Sequence, residues 1–170
     1  MKKVFINGYG SIGSRIAQFI SGDHDIEIIG VGKYSPDEKV GDAISRGFAV
    51  CVPKNKIDQF KNFKISGSIE DALSKCDLVI DASPGGSGYA NKKNLYEPMN
   101  IRAIFQGGEK ITGEKSVADL IFNSRVNYEK ALDKKYVMQG SCNVTGMGRI
   151  LQPLKEKYGS RIKRFDATLL

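Results

Sequence analysis

Two glycine-punctuated segments hold the residues whose types and spacing could do chemistry. In Gly140-Ser-Cys142-Asn-Val-Thr-Gly-Met-Gly148, a cysteine falls between the end of an apolar run and the start of a helical pattern. The unpaired N–H groups and positive dipole end of that helix would favour a thiolate, the form that attacks a carbonyl. The same N–H groups could receive the oxygen of the adduct. The second segment, Gly8-Tyr-Gly10-Ser-Ile-Gly13, follows a predicted strand and opens a predicted helix. In that context the first glycine permits a tight turn, the second lets the backbone approach a pyrophosphate, and the third packs helix on strand.

The residue about 20 positions further on reads the ribose. Lys33 stands there, where a protein restricted to NAD offers Asp or Glu. A lysine attracts a 2′-phosphate, so NADP is expected to bind as well as NAD; Asp37 is the nearest competing acid. A nucleophilic cysteine usually relies on a histidine base. The one histidine, His24, lies in the turn Gly22-Asp-His-Asp-Ile26, which is expected at the opposite end of the sheet. Cys51 and Cys76 sit in or beside strands and read as structural.

The elements that must position these groups alternate between strand and helix, the pattern of βα units. Strands are expected at Val4–Ile6, Ile26–Val31, Ala49–Val52, Lys64–Ser66, Leu78–Ala82, Ile101–Gln106 and Tyr136–Gln139. Helices are expected at Ser11–Ser21, near Asp42–Arg46, at Ile57–Phe63, after the capping sequence Ser68-Ile-Glu-Asp71, at Asn91–Tyr96 and at Val144–Tyr158. Arg161–Leu170 reads as a strand without a partner. The expected fold is α/β: a Rossmann-type, doubly wound, mostly parallel sheet over residues 1–140, with residues 141–170 opening a second, α+β domain.

Composition excludes several classes. At 41% hydrophobic and 26% charged residues the chain is of globular type, without a disordered bias. No apolar run is long enough to cross a bilayer, and Met1-Lys-Lys-Val does not open a signal peptide. Three cysteines at wide, unequal spacings suggest neither a disulfide framework nor a metal site, so the cytoplasm is the expected compartment. Residues 1–85 are electrically balanced, and residues 86–170 carry the whole net charge of +7. The lysines are scattered among acids with no basic stripe, which points to an anionic small ligand and away from nucleic acid.

Five ordered motifs carry a family resemblance. Phe5-Ile-Asn-Gly-Tyr-Gly-Ser-Ile-Gly13, Asp81-Ala-Ser-Pro-Gly-Gly86, Phe105-Gln-Gly-Gly-Glu-Lys110, Asn123-Ser-Arg-Val-Asn-Tyr128 and Gly140-Ser-Cys-Asn-Val-Thr-Gly146 together resemble the archaeal type of glyceraldehyde-3-phosphate dehydrogenase. The resemblance runs from Met1 to Leu170. It implies that Cys142 attacks the aldehyde, that hydride leaves the thiohemiacetal for a nicotinamide, and that inorganic phosphate splits the thioester to an acyl phosphate. It also implies substrate contacts at Ser141 and Asn143, and cofactor contacts at Ser11, Ile12 and Gly108 beside Gly8, Gly10, Gly13 and Lys33. A homotetramer, no metal, and a second half holding the catalytic histidine and most phosphate-binding groups are further implications. On that reading the 170 residues alone bind nucleotide weakly and do not turn over substrate. Two other readings remain open: a reductase of the aspartate-semialdehyde or N-acetylglutamyl-phosphate type, and a nucleotide-binding module whose cysteine is incidental.

Overall fold

The computed structural model describes residues 1–106 and 108–168. Its centre is β1 (Lys2–Asn7), an apolar strand that leads into α1 (Ser11–Ile20). On one side of β1 lie β2 (Ile26–Gly32), β3 (Val50–Val52) and β4 (Gly67–Ser68). On the other lie β5 (Leu78–Asp81), β6 (Arg102–Phe105), β8 (Tyr136–Gln139) and, at the edge, β7 (Leu120–Phe122). The order is β4-β3-β2-β1-β5-β6-β8-β7, and every pairing is parallel. The chain winds outward from β1 in both directions. The carboxyl ends of β1 and β5 therefore flank a topological switch point, where α/β sheets open a crevice for ligands.

Strand periodicity builds a core on each face. Phe5, Val79, Ala103 and Phe105 turn to one face with Leu73 and Tyr96. Ile6, Val31, Val50 and Val52 turn to the other with Ala17, Val40, Ala43 and Phe60. The second face carries α1 and α2 (Glu38–Ser45). The first carries α3 (Ile69–Leu73) and the segment after α4 (Gly88–Asn91), which runs on through Tyr96 as a π-helical turn. As the capping sequence implies, Ser68 Oγ accepts from the Asp71 N–H at 3.0 Å and starts α3.

Several expectations need correction. The strand expected at Lys64–Ser66 forms at Gly67–Ser68, because Cys51 and Val52 pair with those two residues. The helix expected at Ile57–Phe63 is a 3-10 stretch over Lys54–Phe60. An unanticipated helix, α5 (Ser124–Ala131), is capped by Asn123, whose side chain accepts from the Arg125 N–H at 3.0 Å. The last helix, α6, starts at Cys142 and runs to Tyr158. Residues 162–168 form no strand, since no described strand offers them a ladder partner; Leu169 and Leu170 lie outside the described residues, as does Gly107.

α6 buries none of its residues and leaves Val144, Ile150, Leu154 and Tyr158 exposed. It packs along α5, where Asn127 Nδ2 donates to the Ile121 carbonyl and Asn127 Oδ1 accepts from the Asn123 N–H. A Cβ on Gly148 would sit 2.8 Å from Asn123 Nδ2. The Asn123–Tyr128 motif thus does a positioning job: it seats the helix whose first residue is Cys142.

Candidate functional site at the carboxyl edge of the sheet

Gly8 has φ +107°, and a Cβ there would lie 2.6 Å from the Ala82 carbonyl oxygen. A Cβ on Gly13 would lie 1.9 Å from the Gly8 carbonyl oxygen. A Cβ on Gly10, by contrast, would meet nothing within 4 Å. Two of the glycines are therefore required by the protein's own packing, while the third leaves open space above the N-terminus of α1. That terminus has no side-chain cap and no acidic residue in its first turn, so its N–H groups are available to an anion.

This glycine turn forms one wall of a cleft of about 420 Å³ lined by Gly8, Gly10, Ser11, Ile12, Lys33, Asp37 and Pro84, among others. A hydrogen-bond chain runs inward from its wall at Tyr34. Tyr34 OH donates to Asn7 Oδ1 at 2.8 Å, Asn7 Nδ2 donates to Tyr96 OH at 2.6 Å, and Tyr96 OH donates to Asp81 Oδ2 at 2.6 Å. Asp81 also accepts from the Ser83 N–H and from Asn91 Nδ2. Burial pushes the Tyr34 hydroxyl up to about 12 and the Tyr96 hydroxyl well above the usual phenol range, with the Asp81 charge adding to the latter. Both phenols stay protonated donors, and the chain ties the loops after β1, β2 and β5 together. Glu109 links the loop after β6 to them, accepting from the Gly86 and Gly88 N–H groups at 2.8 and 3.1 Å.

A second cleft, of about 600 Å³, adjoins the first across Ile12. Gln106, Gly108, Gln139, Ser141, Cys142, Thr145 and Arg149 line it. Cys142 is exposed at the first position of α6, with Ser141 as N-cap accepting from the Val144 N–H at 3.3 Å. The first-turn N–H groups of Cys142 and Asn143 make no hydrogen bond among the described residues. Arg149 is the only charged residue lining this cleft, among the described residues, and forms no ion pair there. It stands two helical turns from Cys142 on the same face, a spacing legible in the sequence but not anticipated.

The expected site residues thus divide. Gly8, Gly10, Ser11, Ile12 and Lys33 line the first cleft; Ile12, Gly108, Ser141 and Cys142 line the second. Gly13 lines neither, lying beneath the turn, and Asn143 is exposed outside both. Lys33 is no free loop lysine: it is 7% exposed, and both Asp37 carboxylate oxygens lie 2.7 Å from its Nζ. Ser83 and Pro84, from the Asp81–Gly86 motif, also line the first cleft, as does Tyr34, which no local signal marks; strand order brings them together. His24 is exposed at the start of β2, the opposite edge of the sheet, so no histidine reaches Cys142.

The remaining thiols differ from Cys142. Burial pushes Cys51 up to about 11 and Cys76 likewise to about 11. Folding therefore favours their protonated forms. That stability is fully present below the unfolded thiol value and is lost as pH rises through about 11. Urea midpoints are expected to be flat from about pH 6 to 8 and to fall above about pH 9. Cys51→Ala should remove part of that alkaline loss, about 1–3 kcal/mol by pH 11 once solvent screening is allowed for. An unchanged alkaline slope in that variant would contradict the assignment.

Among the described residues no group of three or more His, Cys, Asp or Glu is placed to hold a metal, and no helix is long and apolar enough to cross a membrane. No protein-family model matches the chain. It is 44% identical over 171 residues to a glyceraldehyde-3-phosphate dehydrogenase of Archaeoglobus fulgidus, covering 99% of the chain and 48% of that protein. For that of Sulfolobus acidocaldarius identity is 44% over 151 residues, covering 88% and 43%. For that of Halobacterium salinarum it is 40% over 173 residues, covering 100% and 50%. The chain spans about half the length of these curated relatives. Among solved structures, aspartate semialdehyde dehydrogenase with NADP from Candida albicans superposes with a TM-score of 0.62 at 21% identity, covering 94% of the chain and 48% of the other. At that identity the likeness is one of fold.

Proposed function

Since the chain is a homologue of the archaeal glyceraldehyde-3-phosphate dehydrogenases and matches their N-terminal half, we propose that it is the nucleotide-binding and nucleophile-bearing part of a phosphorylating aldehyde dehydrogenase. The observation that carries this reading is the exposed Cys142 at the head of α6, in a cleft that meets the glycine-turn cleft at Ile12.

The residues fit a dinucleotide. The open space above Gly10 and the uncapped start of α1 suit a pyrophosphate; Lys33 and Asp37 stand where an adenosine ribose would lie; Ile12 and Gly108 border the junction. Bound NAD or NADP supplies the hydride acceptor. Cys142 Sγ adds to the aldehyde carbon of glyceraldehyde 3-phosphate, making a C–S bond, and the first-turn N–H groups of α6 receive the oxygen. Arg149 offers a positive charge to the anionic substrate. After oxidation the carbon is a thioester on Cys142. Attack by inorganic phosphate breaks the C–S bond, releasing 1,3-bisphosphoglycerate and the thiolate. His24 is at the far edge, so on this reading the general base is no histidine of the described residues. The reading includes a nucleotide-binding unit over residues 1–140, a catalytic unit opening at residue 141, and a cytoplasmic homotetramer.

The reverse half-reaction is the test. Mixed with 1,3-bisphosphoglycerate, the chain should acquire a 3-phosphoglyceroyl thioester on Cys142, phosphate being the leaving group, detected by intact mass and peptide mapping. Cys142→Ser should lose the adduct almost completely. Absence of an adduct, or one that persists in Cys142→Ser, would refute the reading.

A further inference from the structure

Lys33 and Asp37 form an ion pair on the wall of the glycine-turn cleft, and its two halves are unequally exposed. The Lys33 side chain is 8% exposed and that of Asp37 46%. The ammonium therefore lies inside and its counter-ion at the rim. The Lys33 backbone is pinned to β3 through its N–H, which donates to the Cys51 carbonyl at 2.9 Å. Asp37 serves two partners at once: its carboxylate takes Lys33 Nζ, and its Oδ1 also accepts from the Lys39 N–H at 2.9 Å as the N-cap of α2. A nearly buried ammonium cannot release its one counter-ion without acquiring another.

We propose that Asp37 is an internal competitor that sets the preference of this site between a free ribose 2′-hydroxyl and a 2′-phosphate. The assignment rests on the reading of this cleft as the dinucleotide site. With a 2′-hydroxyl the pair stays closed, Lys33 remains neutralised, and Asp37 Oδ2, which takes only the Lys33 bond, keeps a lone pair that can also accept from the hydroxyl. With a 2′-phosphate the incoming anion takes Lys33, and Asp37 is left beside a like charge. It must turn out to solvent, which its exposure permits, and the cap of α2 weakens as it does so. Lys33 alone would make the site favour the phosphorylated nucleotide; Lys33 with Asp37 admits both.

Removing the charge while keeping the cap separates these contributions. Asn caps a helix about as well as Asp. Asp37→Asn should therefore tighten adenosine 2′,5′-bisphosphate about fivefold or more, the scale of a partly exposed ion pair, and should not tighten adenosine 5′-phosphate, which loses a carboxylate acceptor. Calorimetric titration of the 170-residue chain with these two probes reads both affinities. Asp37→Ser, which also caps without charge, should shift the ratio in the same direction, so the test survives if one variant folds poorly. Placing Lys33→Gln beneath Asp37→Asn should erase the gain, because the gain is access to that ammonium. If both probes bind and Asp37→Asn and Asp37→Ser leave their ratio unchanged or move it toward the 5′-phosphate, the role of Asp37 is wrong and the dinucleotide reading stands. If neither probe binds wild type or variants, the dinucleotide reading fails and takes this assignment with it.

Discussion

Gly13→Ala should unfold the nucleotide end of the molecule, lowering stability by roughly 2–4 kcal/mol and removing measurable NADP binding. In an ordinary helix interior the same exchange stabilises by about 1 kcal/mol, because alanine restricts the unfolded chain and glycine does not. Here the added methyl would lie 1.9 Å from the Gly8 carbonyl oxygen and 3.0 Å from its carbon. Both are backbone atoms, so no rotamer change relieves the clash. α1 must lift from the turn, or Gly8 must move, and Gly8 is itself confined by Ala82 at φ +107°. Urea denaturation and nucleotide titration measure the two effects. Gly10→Ala is the informative control, since its methyl would meet nothing within 4 Å. It should leave stability within about 1 kcal/mol of wild type yet weaken NADP about tenfold or more if a pyrophosphate approaches that backbone. A Gly13→Ala protein with wild-type midpoint and affinity would show that helix and turn are not packed as described.

Cys142 should react with iodoacetamide at least a hundredfold faster than Cys51 or Cys76. A thiol pushed from 9.0 to about 11 holds roughly a hundredfold less thiolate near neutral pH than a free one. Cys51 is also only 5% exposed, and Cys76 donates its thiol to the Leu73 carbonyl at 3.3 Å. Cys142 is exposed and borders a cleft, and its thiol makes only a long contact among the described residues, to Asn143 Oδ1 at 3.9 Å. Peptide mapping of partly labelled protein gives the three rates in one experiment. On the proposed function, saturating NADP should slow labelling of Cys142 alone, because the two clefts meet at Ile12. Equal rates at Cys142 and Cys76 would make Cys142 an ordinary surface thiol.

What could be read along the chain was what neighbouring residues decide between themselves. The glycine turn between β1 and α1, the Ser68 cap and the cysteine after β8 each depend on steric and hydrogen-bonding preferences within a few residues. Alternating apolar strands and amphipathic helices imposed the parallel sheet, because a crossover helix between strands leaves few other arrangements. α5 carries no local apolar signal, because its start is set by Asn123 and its seat by α6, with no buried residue of its own. The position of the two-residue β4 is not local either: it depends on which residues β3 pairs with.

The site shows the same division more sharply. Lys33 was legible as a positive charge at the ribose position, but its enclosure and its counter-ion follow from β2 lying against β3 and from the cap of α2. Arg149 and Ile12 belong to elements far apart in the chain, and only the winding of strands outward from β1 brings both to one cleft. Local order along the chain determined which groups this protein possesses and which backbone turns present them. Strand order in the folded sheet decided which of those groups meet, since the energy of an ion pair or a shared cleft depends on distance in space and not on separation in sequence.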